Sequence, residues 1–115
     1  MDIVERILNE AKANKAIVYL SFMVFMELYY ITFQKKGEDS TRKLILTTKS
    51  LPVVMVESNE SLILTAGKLK AIYKISVADS IIGATAINEG AVLVHKDPEF
   101  DPLAKEVKLL PLPYK

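Results

Sequence analysis

The chain has 115 residues, half of them apolar, with 15 basic and 14 acidic side chains, a net charge of +1 and no cysteine. That is enough to bury one core and too little for two, so a single domain spanning 1–115 is expected. The charge balance supplies no global field toward nucleic acid, and the absence of thiols excludes disulfides and thiolate metal sites and fits a reducing, cytoplasmic setting.

From Asp2 to about Asn14, apolar Ile3, Val4, Ile7, Leu8 and Ala11 follow the spacing of an amphipathic helix. Ala16 to Leu20 is an apolar run of strand length, the pattern of a parallel strand covered on both faces. Ser21 caps a second helix that runs to about Lys36, where Gly37 supplies a left-handed stop. A helix over Glu38 to Ser50 follows, then a short strand at Val53 to Val56, and a helix capped by Ser58 or Asn59 that carries Leu62, Ile63, Ala66, Leu69 and Ile72. Ser76 caps the next helix and Gly90 ends it; Ala91 to Val94 reads as strand. Asp101 reads as the cap of a short helix at Pro102 to Glu106, and Val107 to Leu110 as a last strand. Strands alternating with helices predict an α/β fold with a parallel sheet.

Ala16 to Phe33 approaches the roughly 18-residue length of a membrane span. Glu27 near its middle argues against that, and a buried strand followed by a buried helix is expected instead, with no membrane partner.

Three acids stand out. Glu27 lies one turn from Met23, Val24, Tyr30 and Ile31, on the face that should be buried, where a carboxylate needs a partner, a proton or a metal. Ser76-x-x-Asp79 has capping-box spacing, which by itself explains Asp79 as a helix-start acid. Asp97 precedes Pro98, an ordinary turn signal, yet it follows the carboxyl end of a predicted inner strand, where α/β sheets gather ligands. His95 is the only histidine, and no nucleophile elbow accompanies it, which disfavours a Ser-His-Asp hydrolase. Lys35, Lys36, Arg42 and Lys43 form the densest basic patch, either a solvated face or an RNA contact.

The stretch A-D-S-I-I-G-A-T-A, then N-E-G, then A-V-L-V-H-K-D-P-E-F resembles the C-terminal half of PIN-domain proteins, and within that family the VapC-like toxin ribonucleases. The resemblance implies a three-layer α/β/α sandwich with a mostly parallel sheet. It also implies metal-dependent RNA cleavage, with Mg²⁺ or Mn²⁺ held by about four acidic side chains. Glu27, in the phrase from Ser21 to Tyr30, matches the family's second acid. Asp79 matches the third, and Asp97, followed by the packing residue Phe100, the fourth. His95 stands where the family usually has a small hydroxyl residue. The family's opening strand and its first Asp have no counterpart before Asp2, so the expected domain is PIN-like but N-terminally incomplete, with reduced activity. Strand edges left unpaired at Ala16 to Leu20 and Ala91 to Val94 would favour a homo-oligomer.

The leading expectation is therefore an endoribonuclease using Glu27, Asp79 and Asp97 on an RNA substrate, paired with an antitoxin protein. The alternative is a non-catalytic interaction module of the same fold, binding an antitoxin or itself.

Overall fold

The computed structural model describes residues 3–112. The chain falls into two compact units, Met1–Val56 and Glu57–Lys115. Both are helix-rich α/β with parallel strand pairs, the fold class the alternation of patterns predicts.

In the first unit, helix α1 (Ile3–Lys12) ends at Asn14, which adopts a left-handed φ of 58°. The Lys15 N–H reaches back to the Glu10 carbonyl and the Asn14 N–H to that of Ala11, so two otherwise orphaned carbonyls are satisfied. Strand β1 (Val18–Ser21) pairs with β2 (Val53–Val56) in the register Val18↔Val53 to Ser21↔Val56. The first strand starts later than its apolar run does: Ile17 is 68% exposed, because register with β2, not hydrophobicity, fixes where pairing begins.

A parallel pair needs a crossover, and α2 (Phe22–Ser50) provides it. Ser21 is both the last strand residue and the cap, its Oγ accepting the Met23 N–H. Gly37, at φ 84° and ψ −177°, breaks α2 into the two helices expected from the sequence; this region of backbone space is nearly closed to residues with a Cβ. Thr41, 1% exposed, donates its hydroxyl to the Gly37 carbonyl and so ties the break to the next turn.

In the second unit, α3 (Glu60–Ile72) starts at Asn59, whose side chain accepts the Leu62 N–H. It packs on α4 (Val77–Glu89) through Leu62, Ala66 and Leu69. Ala84 and Ala86 are buried on α4, and Gly83 leaves space for Leu103, which is fully buried; a Cβ at Gly83 would lie 2.7 Å from the Leu103 Cδ1. Gly90, left-handed at φ 61°, closes α4.

Strand β3 (Leu93–His95) then pairs in parallel with β4 (Leu109–Pro111), from Leu93↔Leu109 to His95↔Pro111. Between them runs a 3-10 helix, Pro98–Lys105. Here the expectation is corrected: Asp97 is the cap, and Asp101 lies exposed within the helix. Pro98 at the first helical position has its φ already set for a helix start, so the Asp-Pro pair at 97–98 takes precedence over the one at 101–102. Among the described residues, no helix is long and apolar enough to cross a membrane.

Candidate metal centre

Two of the expected acids meet in the second unit. Asp79 sits in the first turn of α4, where the Ser76 Oγ accepts its backbone N–H at 3.0 Å. Asp97 stands two residues past the end of β3, at the start of the 3-10 helix. One oxygen each from Asp79, Asp97 and Glu99 lies within 4.8 Å of the others. Asp79 and Asp97 are partly shielded from solvent and Glu99 is exposed. Glu27, the remaining expected acid, is carried by α2 in the first unit, partly buried, and no basic side chain among the described residues pairs with it.

Glu99 has no counterpart among the acids singled out from the sequence. Its signal was present in the D-P-E-F phrase, two residues after Asp97, but that spacing decides nothing until the chain is known to turn there. The Glu99 N–H donates to the Asp97 Oδ1 at 2.9 Å and the Phe100 N–H to the Asp97 carbonyl at 3.1 Å. This tight turn brings both carboxylates to one side.

The three negative groups disturb one another. The Asp79 carboxyl is pushed up from 3.8 to about 6, first by burial, then by its hydrogen bond with Glu99 and the charges of Asp97 and Glu99, against the stabilising hydroxyl of Ser76. Among the described residues no lysine or arginine forms an ion pair with any of the three. A donor set of carboxylate oxygens, crowded and without a basic partner, suits a hard divalent cation whose remaining positions are filled by water. The residues thus fit such an ion.

The model of the PIN domain matches residues 1–106. The chain belongs to the PIN-domain family. Among solved structures, the fold is similar to that of a chain in DNA-bound VapBC from Salmonella typhimurium, with a TM-score of 0.78 at 16% identity, covering 95% of this chain and 83% of that one. It is also similar to a chain in VapBC-1 from nontypeable Haemophilus influenzae, with a TM-score of 0.71 at 20% identity over 92% and 84% of the two chains. At these identities the likeness speaks to fold. No curated protein matches the sequence significantly.

Two further residues of this PIN domain differ from their simplest sequence reading. His95 is 6% exposed and is not a member of the carboxylate group; its Nδ1 accepts the Asp97 N–H at 3.2 Å, and its Nε2 is buried without a partner among the described residues. Arg42 leaves the basic patch, since it pairs with Glu38 at 2.7 Å and reaches Asp39 at 3.6 Å. Lys35, Lys36 and Lys43 remain, lining a cavity of about 530 Å³ with Ile31, Thr32 and Leu44 on α2.

Proposed function

We propose that this PIN domain is a VapC-type toxin endoribonuclease that hydrolyses RNA phosphodiester bonds with Mg²⁺ or Mn²⁺. The observation that carries this is the trio of carboxylates at the end of β3 and the start of α4, in a chain of the PIN family. Asp79 and Asp97 would hold the ion, with Glu99 beside them. When bound, a divalent ion supplies Lewis acidity toward the phosphate and lowers the pKa of a coordinated water. In the metal-free chain the Asp79 carboxyl is pushed up to about 6, chiefly by burial, so an incoming ion competes with its proton. The other part of Asp97's task is geometric: with its N–H, its C=O and one carboxylate oxygen all hydrogen-bonded, its side chain stays in one orientation. The direct test is cleavage of a mixed RNA substrate with and without Mn²⁺. Cutting by wild type, absent in Asp97→Asn and without metal, supports the reading; no metal-dependent cutting overturns it.

A second reading, a non-catalytic module that binds an antitoxin or another copy of itself, draws on a different observation. Met26, Tyr29, Tyr30 and Phe33 fall at i, i+3, i+4 and i+7 on α2 and are all exposed, a contiguous apolar stripe of the kind that marks interfaces. The two readings are compatible in one protein but separable. A pure binding module predicts no effect of Mn²⁺ on thermal stability, whereas an ion-binding site predicts a rise. We further infer that 1–115 acts as one PIN domain, since the family match runs across both units, and that it works in the cytoplasm, in keeping with its lack of cysteine.

A further inference from the structure

His95 occupies a costly position. Its ring packs against Phe100, with centroids 5.2 Å apart and planes at 58°, and both residues are buried. Because Nδ1 accepts a hydrogen bond from the Asp97 N–H, the neutral imidazole carries its proton on Nε2, and that N–H is buried without an acceptor among the described residues. A phenylalanine in its place would make the same ring contact without an unsatisfied donor. What the histidine alone adds is the acceptor for the amide of Asp97.

Among the described residues that amide has no backbone partner, since it falls between the last residue of β3 and the first turn of the 3-10 helix. The main chain of His95 is itself fixed, with its carbonyl accepting the Leu112 N–H at 2.7 Å and its residue opposite Pro111 in the ladder. The ring therefore transmits the position of the strand to the loop that presents the carboxylate.

We propose that His95 is a positioning residue: through Nδ1 it holds the backbone of Asp97 so that the carboxylate stays turned toward Asp79 and Glu99. It is not an ion ligand. The proposal rests on the metal-site reading for its consequence, but the local hydrogen bond can be tested without any metal.

Three variants separate the roles of the two nitrogens. His95→Phe keeps the ring and removes both. His95→Asn places an amide oxygen near Nδ1 and has nothing at Nε2. His95→Gln carries its amide farther out, toward the Nε2 position, and serves as the acceptor-deficient variant if His95→Phe does not fold. In metal-free protein, amide hydrogen exchange at Asp97, read by NMR, is expected to stay slow in His95→Asn and to accelerate at least about tenfold in His95→Phe or His95→Gln. Mn²⁺ titration followed by electron paramagnetic resonance is expected to show about tenfold weaker binding in the latter two, with His95→Asn near wild type. Unchanged Asp97 exchange in the acceptor-deficient variants overturns the proposal. If wild type binds no Mn²⁺, the metal-site reading falls, and the exchange data still decide whether His95 holds Asp97.

Discussion

Asp79 gives up its proton near pH 6 in the folded chain and nearer 3.8 when unfolded. The folded state therefore holds the proton more tightly, and the resulting stabilisation is complete below pH 3.8 and lost as the pH rises through about 6. In metal-free protein the thermal midpoint should fall over that interval, by an amount that solvent screening keeps to a few degrees, and Asp79→Asn should flatten the dependence in calorimetric scans. Metal reverses the preference, because only the ionised carboxylate is a good ligand; Mn²⁺ affinity should weaken as the pH drops below about 6. Glu99→Gln removes one charge from the trio and should lower Mn²⁺ affinity on the order of tenfold, measured by the same titration. Asp79 and Asp97 were legible in the sequence because each follows a readable punctuation mark, a serine cap or a strand end. Glu99 was not, because a carboxylate two residues from another faces it only if the chain makes a turn such as the one closed by the Phe100 N–H and the Asp97 carbonyl.

At the scale of elements, the boundaries that read well are those fixed by local chemistry. Ser21, Asn59 and Ser76 accept backbone N–H groups at their own helix starts, and Gly37 and Gly90 take conformations that favour glycine; none of these depends on a distant partner. Strand ends are set by register, which one segment cannot reveal, and so β1, β3 and β4 each begin later than their apolar runs. The helix break at Gly37 gives a direct test. Placing a Cβ at φ 84° and ψ −177° should cost about 1–3 kcal/mol, so Gly37→Ala is expected to lower the thermal midpoint by several degrees although nothing lies close enough to clash. Gly83 differs in mechanism: its conformation is ordinary, and its small size matters because of Leu103. Gly83→Val should cost about 1–3 kcal/mol through overpacking in the second unit, with the loss visible in urea unfolding as a lower midpoint at unchanged slope.

For the molecule as a whole, a net charge of +1 gives copies of the chain little mutual repulsion, so an exposed apolar stripe is left without electrostatic protection. Tyr29 and Phe33 are the centre of that stripe, their rings stacked on one another at 6.1 Å and both turned to solvent. Aromatic side chains offer large contact area at low entropic cost, which is why such pairs serve as anchors in partner surfaces. Light scattering of the isolated protein should show mass rising with concentration as copies cover this stripe. Tyr29→Glu combined with Phe33→Glu should hold it at the monomer mass, while leaving the Mn²⁺ response intact, because the carboxylate trio is built wholly from α4 and the segment after β3. A wild-type protein that stays monomeric at high concentration would instead reserve the stripe for a different chain, and the double variant should then lose affinity for that chain by a factor on the order of a hundred or more, as expected when two interface anchors are removed.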